Sequence, residues 1–287
     1  MLAAILLAAA LTDDGARART IARLDQLLDP AATAEARTER VIVSSDHRAP
    51  DAARAMASRL EGVFVAAREV LGLPDDAAPP PRLRVYAFRL RDAYIVAREA
   101  MGGLGDEDAL VDPRLDLLVL HLDAGGIDDP RRVALREGAR WYLRKRWPPG
   151  ATPPPWFEEG LSRYLASGDL LGTRIVPRPW SRAKDANVKP PPWPGAPEPP
   201  WTPSQLRRSW KSTGGPNLEA LFASERPEPG RARLAFEAEA RFFVEFLRYG
   251  TDVWPEAVRR VLAGGPPIEG PPDAWKERFV KYVEKMD

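Results

Sequence analysis

The chain has 287 residues, 44% of them hydrophobic and 29% charged. That is the balance of a soluble globular protein with room for one large domain or two small ones. A net charge of +1 excludes broad electrostatic binding of nucleic acid, and the absence of cysteine excludes disulfides, thiol nucleophiles and thiolate metal sites.

Met1 to Leu11 is apolar throughout. It is too short to span a bilayer, which takes about 20 residues, so no transmembrane span is expected. The stretch has the character of the apolar core of a secretory signal, with Ala8-Ala9-Ala10 suited to cleavage, although no Lys or Arg precedes Arg17. The expectation is an exported or cell-envelope protein. Residues 18–37 read as a polar helix with Ile21, Leu24, Leu27 and Leu28 on one stripe, so 1–39 forms a signal segment and N-terminal helix.

Val41-Ile42-Val43 reads as a strand, followed by the loop Ser44-Ser45-Asp46-His47. Asp51 to Leu71 is an amphipathic helix, with Met56, Leu60, Val63, Phe64, Ala67 and Leu71 at helical spacing. Leu83 to Phe88 alternates as a strand does, and a short helix is expected over Arg91 to Met101. Gly102, Gly103 and Gly105 make a turn; without a third glycine and a following helix they are not a phosphate loop. Residues 115–122 read as a further strand, ending near His121.

Asp129-Pro130 is a good helix start, with Asp at the cap and Pro at the first helical position. That helix is expected to run to Trp147 and to stop at Pro148-Pro149. Pro153-Pro154-Pro155 leads into a second helix, ended by Gly168. Between 177 and 203 lie ten prolines, with Trp180, Trp193 and Trp201 among them. Such a run builds neither a helix nor a central strand. It reads as a loop tacked onto the surface by its tryptophans; the rival reading is a polyproline segment offered to a partner groove. Beyond it, 204–287 reads as helical, with the clearest helix over Arg231 to Tyr249 and shorter ones over Val253 to Leu262 and Asp273 to Lys285. Trp254, Trp275, Phe279 and Tyr282 suit a core better than a cofactor box.

The two helices around 130–168 carry the chemistry. The first holds Arg136-Glu137-Gly138-Ala139-Arg140, the second Trp156-Phe157-Glu158-Glu159-Gly160-Leu161-Ser162-Arg163-Tyr164, with 18 residues between Arg140 and Glu159. This frame resembles the gluzincin metallopeptidases, and most closely the peptidase-MA-like domain of unknown function found in exported bacterial proteins. The resemblance covers about residues 40–170 well and the C-terminal third loosely. It implies an α+β, zincin-like fold: a small mixed sheet packed on helices, with a mostly helical C-terminal half. The zincin-like domain would span 40–176, with 177–203 a linker or loop and 204–287 a helical subdomain.

In such proteins two His four residues apart hold zinc, the Glu after the first activates water, and a Glu on the next helix completes the site. The resemblance makes Glu137 a vestigial general base and Glu159 the counterpart of the third ligand. Arg136 and Arg140 stand where both His belong. A guanidinium has five donors and no lone pair to give, so zinc, expected in the family, is not expected here. His121, on the strand before the first motif helix, is expected near the cleft, and His47 is the other candidate for a relocated ligand.

These residues lead to a catalytically inactive metallopeptidase-like protein acting as a binding or scaffold module. Arg136 and Arg140 are expected to turn toward Glu159, with Glu137 in the same ion network and Tyr164 nearby, or to receive a peptide or other acidic ligand. The rival is an active hydrolase with a relocated metal, or with metal-free carboxylate chemistry using Glu137 and Glu158 or Glu159.

Overall fold

Short strands rich in Val, Leu and Ile alternate with amphipathic helices through the first half of the chain, and helices alone fill most of the second. The computed structural model describes residues 2–28, 31, 33–46, 50–74, 81–103, 108–122, 130–148, 151–180, 201–223, 225–228 and 230–286. It is an α+β protein with a small mixed sheet and mostly helical content. The chain divides into two units. Unit 1 comprises 1–64, 77–145 and 172–174; unit 2 comprises 65–76, 146–171 and 175–287.

Unit 1 begins with α1 (Leu2–Leu27), then β1 (Ala34–Arg37), β2 (Val41–Ser45) and α2 (Pro50–Leu71), which passes into unit 2 after Phe64. Then come β3 (Leu83–Phe88), α3 (Arg91–Ala100), β4 (Ala109–Asp112), β5 (Leu117–His121) and α4 (Pro130–Arg146). The sheet order is β1-β2-β3-β5-β4. The central β2, β3 and β5 are parallel, with Val43 opposite Val85 and Val85 opposite Leu118, while β1 and β4 close the edges antiparallel.

Parallel strands need cover on both faces, and side chains alternate between faces. Tyr86, Phe88, Leu117 and Val119 share one face and pack with Leu24 and Leu28 from the α1 end and Tyr94 and Ala97 of α3. Val41, Val43, Val85, Leu118 and Leu120, of opposite parity, are buried as well. α2 and α4 pair through Phe64, whose ring lies 5.2 Å from that of Trp141 and 5.3 Å from that of Tyr142. Asp116, at φ 53 in the turn before β5, ties α4 to the sheet. Its Oδ1 accepts from Trp141 Nε1 at 3.0 Å and pairs with Lys145 Nζ at 2.7 Å. Asp tolerates that left-handed conformation better than most residues.

The helix expected over 18–37 ends at Leu27. Its apolar stripe is real, since Ile21, Leu24, Leu27 and Leu28 all join the core under the sheet. Ala34-Glu35-Ala36-Arg37, however, alternates in burial and pairs with β2 as an edge strand. Edge β4 was likewise not foreseen. Asp129, Trp193 and His47 lie outside the described residues, as does 181–200 of the proline-rich stretch. No helix among the described residues is long and apolar enough to cross a membrane.

Unit 2 holds α5 (Pro155–Ala166), a hairpin of β6 (Asp169–Leu171) and β7 (Arg174–Val176), of which residues 172–174 are assigned to unit 1, then α6 (Pro203–Thr213), α7 (Leu218–Ala223), α8 (Arg231–Tyr249), α9 (Trp254–Leu262) and α10 (Asp273–Glu284). α5 and α8 cross closely at Gly160, where an added Cβ would sit 2.3 Å from the Ala240 carbonyl oxygen. Rings of Trp156, Phe222, Phe243, Phe246 and Phe279 interlock around that crossing at centroid distances of 5.2–5.8 Å. Trp254 donates Nε1–H to the Val70 carbonyl, and Trp275 and Tyr282 pack on Phe246. These aromatics serve the core. Trp180 stands edge-on to Phe242, its backbone N–H on Glu245, and Trp201 is buried beneath Arg231. The two described tryptophans of the proline-rich stretch are therefore seated on unit 2.

Candidate functional site

Glu137 is held from its own helix. Arg140 follows it by three residues and so lies beside it on one face of α4, while Arg136, its direct neighbour, folds a long side chain over to it. Arg136 Nε donates to Glu137 Oε1 at 3.0 Å and Arg140 Nη1 to the same oxygen at 2.6 Å. Glu137 is 4% exposed and Arg140 6%, so the charge pair is made largely out of water. Burial pushes the Glu137 carboxyl up, but Arg140 and then Arg136 outweigh that and hold it below its ordinary value. A general base works best with a pKa near the working pH. Glu137 is instead a clamped, ionised carboxylate. Gly138 follows it because α2 comes close: a Cβ there would lie 2.4 Å from Leu60 Cδ2.

Glu159 is held differently. It is 2% exposed, on the buried side of α5. Arg163, one helical turn on, donates Nε–H to Glu159 Oε1. Arg226, from the connection between α7 and α8, approaches Glu159 Oε2 at 2.9 Å. Both arginines also engage Glu237 of α8, Arg163 through Nη2 and Arg226 at 3.6 Å. Arg233 adds a contact with Glu237 Oε1 at 3.3 Å. Two carboxylates and three guanidinium groups thus form one network inside unit 2.

The sequence placed Arg136 and Arg140 in one ion network with Glu159 and Glu137. Among the described pairs both arginines reach Glu137, and Glu159 meets Arg163 and Arg226. The i,i+4 spacing of Glu159 and Arg163, and of Arg233 and Glu237, was present in the sequence as a signal. Nothing local announced Arg226.

Tyr164, on the same helix, is fully buried, and its hydroxyl lies 2.5 Å from that of Tyr249. Burial, followed by that bond, pushes its pKa far up. The Arg248 guanidinium lies over its ring at 5.5 Å. It is a packing and hydrogen-bonding residue of the α5–α8 pair. Glu158 lies in the first turn of α5.

His121 sits at the end of β5, 5% exposed, on the face shared with α3. Its ring stacks on Tyr94 at 5.7 Å and Nε2 lies 3.2 Å from the Arg89 carbonyl oxygen. Its described partners come from α3 and the turn before it, not from α4.

Zinc asks for lone pairs from imidazole, thiolate or carboxylate. On α4 the flanking groups offer only N–H, and Glu137 Oε1 already accepts from both arginines. On α5 each Glu159 oxygen faces a guanidinium. These residues do not fit the metal that the motif implies. Among the described residues, no three His, Cys, Asp or Glu side chains converge as a metal site requires. Compared with known proteins, the chain matches no family model and no curated sequence.

Proposed function

We propose that this chain is a gluzincin-like protein that has exchanged metal chemistry for arginine–carboxylate pairing, and that it works as a binding or scaffold module rather than a peptidase. The observation that carries this reading is the clamp on Glu137: two guanidinium groups donate to its Oε1 and lower the basicity of the carboxylate. The pairing of Glu159 with Arg163 and Arg226 supports it from the second motif helix. The frame of two consecutive helices, α4 and α5, following a small mixed sheet agrees with a zincin-like architecture. The apolar Met1–Leu11 segment supports export to the cell envelope. An acidic peptide is the ligand class that arginine-rich surfaces suit.

The test is the double change Arg136→His and Arg140→His. It would place two imidazoles one turn apart on α4 and free Glu137 of its cations. The folded double variant is expected to bind zinc in titration calorimetry where the wild type does not. A folded double variant that takes up no zinc would count against a zincin-like ancestry for α4.

A further inference from the structure

Where α8 meets α6 in unit 2 it carries a carboxylate without a counter-ion. Glu239 accepts a hydrogen bond from Trp210 Nε1 at 2.6 Å, and among the described residues no cation pairs with it. The two buried carboxylates of the same helix differ: Glu237 faces Arg163 and Arg233, and Glu245 faces Arg241. One turn away from Glu239 in either direction α8 offers only Ala235, Phe236, Phe242 and Phe243.

The charges on the surrounding elements are engaged elsewhere or exposed. Arg163 of α5 and Arg226 serve Glu159 and Glu237. Arg207 of α6 donates to the Val283 and Glu284 carbonyls of α10. Arg259 and Arg260 of α9 pair with Glu256, and Lys281 of α10 with Glu277. Arg208 and Lys211 of α6 and Glu219 of α7 are exposed. Burial therefore dominates at Glu239 and pushes its carboxyl up to about 7, with the Trp210 bond opposing only in part.

α6 is built as a separate piece. Thr202 and Gln205 close a capping box at its start, with Pro203 inside the first turn, so the helix satisfies its own first N–H groups. It ends in Gly214 (φ 78) and Gly215 (φ 113), a pair that absorbs a change of backbone direction at little cost. Its buried side chains are few: Leu206 and Trp210 are the large ones, and the Trp210 ring packs 5.4 Å from that of Phe279.

We propose that the Trp210–Glu239 contact is a proton-controlled latch: α6 lies closed on α8 while Glu239 is protonated, and swings out about Gly214-Gly215 as a preformed helix once Glu239 ionises. The charged form gains water when α6 leaves, and the neutral form gains little. The closed form is thus fully favoured below 4.5, and that preference is lost as the pH rises through about 7.

The experiment is hydrogen exchange of the full chain, read by mass spectrometry on peptides covering 203–213 and corrected for intrinsic exchange rates. Between pH 5.5 and 8.5 the protection of α6 is expected to fall roughly thirtyfold. Urea below the unfolding transition should leave that exchange unchanged, as befits a local opening, while accelerating exchange in α8. Glu239→Gln keeps an acceptor for Trp210 and should abolish the pH dependence. Trp210→Phe removes the donor and should lower the protection of α6 while keeping its pH dependence. Wild-type α6 without the pH dependence, the same dependence in Glu239→Gln, or α6 responding to urea as α8 does each overturns the proposal.

Discussion

The two motif glutamates are built alike in sequence and differently in structure. Each is followed by glycine, Glu137-Gly138 and Glu159-Gly160, and each is buried against arginine. Glu137 is served by its own helix, both arginines lying within three residues and converging on one oxygen. Glu159 shares its arginines with Glu237, and one of them, Arg226, comes from 67 residues further along the chain. Among the described pairs the first arrangement centres on one carboxylate and the second spreads over two.

The sharpest way to break this comparison is to delete each carboxylate. Removing one partner of a buried ion pair costs about 3–5 kcal/mol, and Glu137→Ala is expected in that range by urea denaturation. Glu159→Ala should cost less, about 2–3 kcal/mol, because Glu237 still receives Arg163 and Arg226. Glu159→Ala combined with Glu237→Ala should then cost more than the two single losses added together. Equal single losses and strict additivity would erase the distinction.

The units should also respond oppositely to pH. Glu137 has a folded-state pKa below its ordinary 4.5, so its stabilisation is present above that value and is lost as the pH falls through the folded pKa. In unit 2, burial pushes Glu239 up to about 7, only partly opposed by the Trp210 bond. Its contribution is complete below 4.5 and disappears as the pH rises through about 7, a change on the order of 3 kcal/mol. Glu245 is shifted in the same direction, by burial above all. Glu239→Gln keeps an acceptor for Trp210 and should flatten the alkaline limb. An unchanged pH profile in that variant would contradict the assignment.

The smallest expected difference concerns the paired glycines. At Gly160 the obstacle to a Cβ is the Ala240 backbone, so Gly160→Ala should cost about 1–3 kcal/mol through overpacking. At Gly138 the obstacle is the end of the Leu60 side chain, which can change rotamer. Alanine's better helix propensity, worth up to about 1 kcal/mol, opposes what strain remains. Thermal denaturation of both variants should therefore rank Gly160→Ala well below Gly138→Ala.

What could be read in the sequence follows the same division. The strand over 83–88 and the helix over 231–249 were legible because apolar residues recur densely through both, after Pro79-Pro80-Pro81 in one case and up to Gly250 in the other. β1 and β4 were not: an edge strand of four residues with polar positions has no periodic signal, and only pairing with β2 and β5 defines it. Residues 34–37 looked helical because Ala, Glu and Arg favour helices, and tertiary pairing overrode that preference. The Arg140–Glu137 pair could be derived from i,i+3 spacing along one helix; the bond from the adjacent Arg136 could not. The network around Glu159 could not, since Arg226 and Glu237 reach it only when α7, α8 and α5 are folded together. His121 shows the remaining gap, because a strand fixes which residues share a face but not which helices cover that face.

The central claim is that arginine stands on these motif helices where a metal would be held. Elemental analysis of the wild-type protein, purified and then dialysed with zinc present, tests this most directly. No stoichiometric zinc is expected to remain bound; one tightly held equivalent per chain would contradict the account.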